Sequence, residues 1–218
     1  MNASGLPTHE RIYRRLRDMV LYGDLAPGQA VTLHGLVAQT GVSTTPVREA
    51  IRRLTAAGAL ELRDNRRVAV PLPDAAALAE LHLARRAIEP ELARRATLRS
   101  DAQLIDRLCN IDDQLDAAMR AGDVRGYMRQ NHAFHFTLYG AAQAQVLEPL
   151  AEALWLRFGP LGRVICGRLG TARMPDRHDE TIAALRARNA EAAAAAIAAD
   201  IDQGFTLMQA GVDGGGII

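Results

Sequence analysis

Apolar residues recur every three to four positions along most of this chain, and the interruptions divide it into helices. From about His9 to Tyr22, the residues Ile12, Leu16, Met19 and Val20 follow helical spacing. Gly23-Asp24-Leu25-Ala26-Pro27-Gly28 then reads as a connecting turn. Thr32 can cap a short second helix that turns Leu33, Leu36 and Val37 inward. Gly41 can adopt left-handed backbone at little cost and leads into a third helix. Ser43 stands at the N-cap of that helix, where its hydroxyl can accept a first-turn N–H. Pro46 falls in the first turn, where its missing N–H breaks no helical bond. Stepping at about 100° per residue puts Val47, Ala50, Ile51 and Leu54 on one side and Thr45, Arg48 and Arg52 on the other.

After Gly58 the period changes to two. Leu60 and Leu62 alternate with Glu61 and Arg63, Asp64-Asn65-Arg66-Arg67 makes a turn, and Val68 and Val70 alternate again, which predicts a β-hairpin with a basic tip. Pro71-Leu72-Pro73 forms a short stiff joint. Asp74 can cap the next helix, and from there the pattern is almost wholly helical. Helices are predicted over roughly 75–98, 101–121, 124–140, 143–168, 176–188 and 190–210. Pro90 lies inside the first and should kink it. Residues 192–199 are alanine except for Ile197, a run of strong helix propensity whose small side chains allow close packing. Met1 to Thr8 is polar, and Gly211 to Ile218 reads as a frayed tail. The predicted fold is mainly α: a winged helix-turn-helix domain over 1–72, then an all-α helical bundle over 73–218.

Composition agrees with a helical protein. The 218 residues are 49% hydrophobic but only 4% aromatic, no apolar run reaches membrane-spanning length, and the N-terminus lacks a signal-peptide pattern. Cys109 and Cys166 are far apart and fit no metal or redox motif, as expected of reduced thiols in a cytoplasmic protein. All 26 basic residues are arginine. Residues 1–72 hold 10 arginines against 6 acidic groups, a balance of +4, whereas residues 73–218 hold 16 against 19, a balance of −3. A basic front suits a nucleic-acid reader. In the third helix, Arg48 and Arg52 can reach guanine or phosphate, and Thr45 can touch a base edge, with the apolar face docked on a small core. The alternative for that helix is an ordinary surface element with a solvated charged face. Asn65, Arg66 and Arg67 at the hairpin tip can lie against phosphate or enter the minor groove.

The run from Ile12 to Val70 resembles the winged-helix domain of GntR-type bacterial repressors. The matching marks are Gly23-x-Leu25-x-Pro27-Gly28, Gly41-Val42-Ser43, Thr45-Pro46-Val47-Arg48-Glu49-Ala50, Arg53-Leu54 and Gly58-x-Leu60. Two positions depart from the pattern. Thr44 stands where the family usually has a base-reading arginine, and Arg67 where the wing often has glycine. Behind it, Arg85-x-x-Ile88-Glu89, Asn131-x-x-Phe134-His135 and His178 resemble the helical effector (FCD-type) domain of the FadR-like branch. The resemblance implies a homodimeric repressor on double-stranded operator DNA, relieved by a small carboxylic acid.

Geometry brings a candidate metal site out of the same residues. Asn131 and His135 are four apart on one helix, so they share a face. His178 and Asp200 are each 11 residues from Asn189, so two antiparallel helices joined there set them side by side. One amide oxygen, two imidazoles and a carboxylate suit a divalent ion such as Zn, Ni or Mn. The resemblance implies a third histidine where Asp200 stands, which makes this donor set harder. The alternative is that the four are hydrogen-bonded pocket or surface residues. Arg85 is the candidate anchor for an effector carboxylate, because its guanidinium forks onto carboxylates. His82 and Tyr127, each one turn from a candidate residue, could line the same pocket, and His132 is expected to face solvent. A metal-dependent enzyme is the competing class, although no separate general base stands at recognisable spacing. A dimerising structural module with non-specific DNA contact is a third possibility.

Overall fold

A computed structural model describes residues 6–63, 67–169 and 177–213. The front of the chain is built on α1 (Thr8–Leu21), α2 (Leu33–Thr40) and α3 (Thr44–Ala56). α1 buries Ile12, Leu16, Val20 and Leu21, and α3 packs on it through Val47, Ala50 and Leu54. Thr32 caps α2 by accepting the Gly35 N–H at 3.0 Å. Gly41 closes α2 at φ 70°, a conformation that leaves its N–H bonded to the Val37 carbonyl. Ser43 occupies the N-cap of α3 with extended backbone, but its side chain makes no capping bond. Pro46, the third helical residue, has no N–H, which removes one of the two donors a cap hydroxyl can accept.

The wing is a three-stranded antiparallel sheet rather than a hairpin alone. Strands β1 (Ala30–Val31), β2 (Glu61–Arg63) and β3 (Arg67–Ala69) lie in the order β1-β3-β2. Ala30 pairs with Ala69, and Leu62 with Val68. Two residues are too few to show a period, so β1 left no trace in the hydrophobic pattern. The alternation around β2 also stops short: Leu60 is 2% exposed, whereas Leu62 is 66% exposed because the wing has already left the core. Of the expected tip, Asn65 and Arg66 lie outside the described residues.

The rear bundle comprises α4 (Ala75–Leu98), α5 (Ala102–Ala121), α6 (Val124–Ala141), α7 (Leu147–Leu169), α8 (His178–Arg186) and α9 (Ala190–Asp213). Aspartates cap three of these, with Asp74, Asp101 and Asp123 accepting the N–H of Ala77, Leu104 and Gly126 at 2.7–2.8 Å. Pro90 sits inside α4, which runs on through it to Leu98. α7 starts four residues later than its periodicity suggests, because the chain turns through Gln143 at φ 51°. A second such residue, Arg188 at φ 51°, follows the end of α8, and the Asn189 side chain then accepts the Ala192 N–H at the start of α9. α9 packs along α4 and α8 through Ala193, Ala194, Ala196 and Ile197, so the alanine run is an interface.

The front is fastened to the bundle by more than its linker. One apolar core runs from Ile12, Leu16 and Leu54 through Leu78 and Leu81 to Met128, Trp155 and Phe158. α7 crosses α1 so closely that a Cβ on Gly159 would lie 2.5 Å from the Leu21 carbonyl oxygen. Around this crossing Arg17 pairs with Glu152 at 2.9 Å, and Arg125 grips Asp24 through two nitrogens at 2.9–3.1 Å. A second core, of Leu92, Leu108, Phe134, Leu138, Leu185 and Ile197, lies wholly within the bundle. Among the described residues no helix is long and apolar enough to cross a membrane.

Candidate functional site

The outward face of α3 carries Thr44, Thr45, Arg48 and Arg52, all exposed. Arg52 forks onto Glu49 at 2.7 and 2.9 Å, and Arg48 makes no ion pair among the described residues. Arg53 does a different job: it pairs with Glu10 at 2.9 Å and lies 3.5 Å from the Tyr13 ring centre, fixing α3 against α1. Arg67, at the start of β3, is exposed beside the wing tip. A polar helix face and a basic wing thus project from the same side chains that the sequence singled out, on elements locked to a common core.

A second constellation lies inside the bundle. His135 on α6, His178 on α8 and Asp200 on α9 bring one ligand atom each to within 4.8 Å of the others. Both imidazoles are fully buried, and Asp200 is largely so. The His135 Nε2 lies 3.4 Å from the Asp200 carboxylate and makes no hydrogen bond, a buried polar atom left without a partner. His178 turns its Nδ1 to Asp112 of α5 at 2.8 Å, and its ring stacks on Phe134 with centroids 3.7 Å apart. Asn131 stands one turn before His135 on α6 and is half-buried.

Behind His135 sits a buried hub at Glu89. Its carboxylate accepts Arg85 Nε at 2.5 Å and Arg85 Nη2 at 3.1 Å, the Tyr139 hydroxyl at 2.7 Å and the Trp155 indole N–H at 3.0 Å. The guanidinium of Arg85 also lies against the rings of Trp155 and Phe158, 4.7 and 4.5 Å from their centres. The fork expected to hold an effector is therefore engaged by Glu89, one turn on along the same helix. Tyr139 in turn lies 3.0 Å from His135 Nδ1.

The electrostatics follow from this crowding. Burial pushes His135 below its ordinary value toward the neutral form, with Asp200 only partly offsetting it. Three carboxyl groups, Glu89, Asp112 and Asp200, and one guanidinium, Arg85, stand around the two imidazoles. A poorly solvated interior that gathers carboxyl groups and imidazoles suits a bound cation. Imidazole nitrogen, carboxylate oxygen and the Asn131 amide form a donor set that a divalent ion fits.

Other expected lining residues fall elsewhere. His82 bonds Asp202 at 2.8 Å and stacks on Phe205 at 4.2 Å. Asp202 lies two residues beyond Asp200, on nearly the opposite side of α9. Tyr127 is buried in the core shared with the front domain. His132 does not face solvent. It stacks on Phe136 at 4.3 Å and meets Trp155 and Tyr22 edge-on, and burial, followed by the charges of Arg17 and His135, pushes its pKa down to about 3. The front domain covers this side of α6, so the helix has two buried faces where one was expected. Asp112, Tyr139 and Trp155 were not anticipated. Asp112 has no local signal, because its partner is 66 residues away.

Residues 8–70 match the bacterial regulatory proteins of the gntR family, and residues 80–203 match the FCD domain family. The HTH-type transcriptional regulator McbR of Escherichia coli K12 is 26% identical over 196 residues, covering 88% of this chain and 89% of that protein. The Nta operon transcriptional regulator of Aminobacter aminovorans is 33% identical over 125 residues, 56% of this chain and 57% of its own. Among solved structures, E. coli McbR/YncC superposes with a TM-score of 0.88 at 24% identity, covering 95% of this chain and 99% of that one. A GntR transcriptional regulator from Rhodococcus sp. RHA1 gives 0.75 at 23% identity, covering 93% and 97%.

Proposed function

Because the chain belongs to the gntR family of bacterial regulatory proteins and carries an FCD domain, we propose that it is a dimeric repressor whose grip on operator DNA is set by a small carboxylic acid bound near a divalent ion. Its relatives are transcription regulators, so the metal-dependent enzyme reading falls away. Residues 1–72 would read DNA, and residues 73–218 would bind the effector and pair two protomers. Thr44, Thr45, Arg48 and Arg52 would face the major groove, with Asn65, Arg66 and Arg67 on the backbone or minor groove. Two copies on a near-palindromic operator would double a contact that is small for one helix.

Asn131, His135, His178 and Asp200 would hold the ion, of Zn, Ni or Mn type. When bound it supplies an electrophilic position for an oxygen ligand such as a carboxylate. The observation that carries this reading is the buried His135 Nε2 facing the Asp200 carboxylate with no hydrogen bond between them. Arg85 borders this cluster, but Glu89 already neutralises it, so an acid would have to share the guanidinium. His82 and Tyr127, turned to other partners, gain no support as effector contacts.

The seam offers a route from bundle to DNA. α6 carries Asn131 and His135 on one face and His132 and Phe136 on the next, and His132 rests against Tyr22 at the end of α1. α1 is the helix on which α3 packs. A ligand with different affinity for two positions of α6 would therefore bias the front domain. The test is retardation of a promoter fragment in excess competitor DNA, with and without a panel of small carboxylic acids. Sequence-specific binding weakened by one acid is expected. Binding without sequence preference would point instead to a structural module, and indifference to every acid would reject the effector.

A further inference from the structure

Proton bookkeeping around the two histidines leads one step further. The Glu89 carboxylate is surrounded by donors: Arg85 through Nε and Nη2, Trp155 through its indole N–H, and Tyr139 through its hydroxyl. A tyrosine hydroxyl has one proton. At 2.7 Å from a buried carboxylate that the Arg85 fork already holds as an acceptor, that proton belongs to the Tyr139–Glu89 bond. The Tyr139 oxygen can then only accept at its other contact, 3.0 Å from His135 Nδ1. His135 must therefore carry its hydrogen on Nδ1, and its Nε2 presents a lone pair toward Asp200. This explains why Nε2 and the carboxylate stand 3.4 Å apart without a hydrogen bond: both are acceptors. The same logic holds on α8. Asp112 Oδ1, 2.8 Å from His178 Nδ1, is an acceptor, so the hydrogen sits on Nδ1, and in the neutral ring Nε2 is then the basic nitrogen.

We propose that Glu89–Tyr139 on one side and Asp112 on the other are positioning residues that lock both imidazoles in the Nδ1–H tautomer, so that each offers Nε2 to a common divalent cation. In this assignment the buried Arg85 is the root of the chain. It orients Glu89, Glu89 accepts the hydrogen bond of the Tyr139 hydroxyl, and Tyr139 fixes the ring of His135. Outer partners of this kind set both the orientation and the basicity of a ligating histidine. The cation-binding part rests on the metal site proposed above; the tautomer part stands without it.

The test separates the two. Long-range proton–nitrogen NMR of the imidazoles, on chelator-treated full-length protein, reads the tautomers with no metal present. His135 and His178 should both show a protonated Nδ1 and an unprotonated Nε2. Tyr139→Phe removes the acceptor while keeping the ring, and should move His135 toward the Nε2–H form, which can donate to Asp200. Asp112→Leu should do the same for His178, whereas Asp112→Asn, which retains an acceptor oxygen, should keep the wild-type form. Competition between the protein and a chelator for Zn or Mn should show both tautomer-shifting variants binding about 10–100-fold more weakly. Asp112→Asn should lie between them and wild type, with the fold of every variant checked by circular dichroism. If wild-type His135 carries its hydrogen on Nε2, or if Tyr139→Phe leaves tautomer and affinity unchanged, the assignment is overturned. If the tautomers are as stated but wild type binds neither Zn nor Mn, the positioning network stands and the metal reading fails.

Discussion

Replacing Glu89 by glutamine tests the buried hub with almost no change of shape. The native carboxylate is completely buried and accepts four hydrogen bonds, two of them from Arg85. Glutamine turns one oxygen into an NH2 group, so a donor meets donors, and the buried Arg85 charge loses its directly bonded carboxylate. Removing one member of a buried ion pair typically destabilises by about 3–5 kcal/mol. That is a large share of the roughly 5–15 kcal/mol that holds a domain folded. With a urea slope of about 2–3 kcal/mol per molar, the unfolding midpoint should fall by about 1–2 M. Arg85→Met combined with Glu89→Leu removes both charges, and should be far closer to wild type than Glu89→Gln alone. A loss below about 1 kcal/mol in the single variant, or a double variant as unstable as the single, would refute the claim that this pair is a mutually dependent buried unit.

Other consequences can be measured directly. Gly159→Ala forces a methyl group against the Leu21 backbone, and should destabilise by about 1–3 kcal/mol. It should also speed hydrogen exchange at the end of α1; unchanged exchange would mean the helices separate freely. Arg48→Ala should weaken operator binding by about 1–3 kcal/mol, read by fluorescence anisotropy, and unchanged affinity would remove Arg48 from the reading surface. His132 titrates at about 3 in the folded chain against an ordinary 6.5, so the unfolded chain takes up its proton first. Stability should therefore be unaffected above pH 6.5 and fall as pH drops below it, by at most about 1.4 kcal/mol per unit from this residue. His132→Leu should flatten that part of the acid limb, and an identical limb in the variant would show that His132 is not buried as neutral imidazole.

Local chemistry made much of the fold legible. Thr32 and Asp74 cap the helices that follow them, Gly41 ends α2 in the left-handed conformation, and the face of α3 divides as its periodicity requires. What escaped was non-local. β1 is two residues long and exists only because β3 pairs with it. His132 looked solvent-facing because nothing near it in sequence announces that Tyr22 and Trp155 close over it. The meeting of His178 with Asp200 could be read from their equal distance to the Asn189 turn, since two antiparallel helices keep register. Asp112 could not, because α5 reaches His178 only through the packing of the whole bundle. The pair Arg85 and Glu89 shows the intermediate case. Their four-residue spacing permits an ion pair, but only burial decides that Arg85 faces Glu89 rather than open space.

The most direct test of the account is the metal content of protein purified without chelator or histidine tag, measured by mass spectrometry of the elements. About one Zn, Ni or Mn ion per chain is expected, lost together from His135→Ala and Asp200→Ala variants. Wild-type protein that is metal-free and takes up none of these ions on addition would contradict the metal site, and would leave Asn131, His135, His178 and Asp200 as polar lining of the bundle.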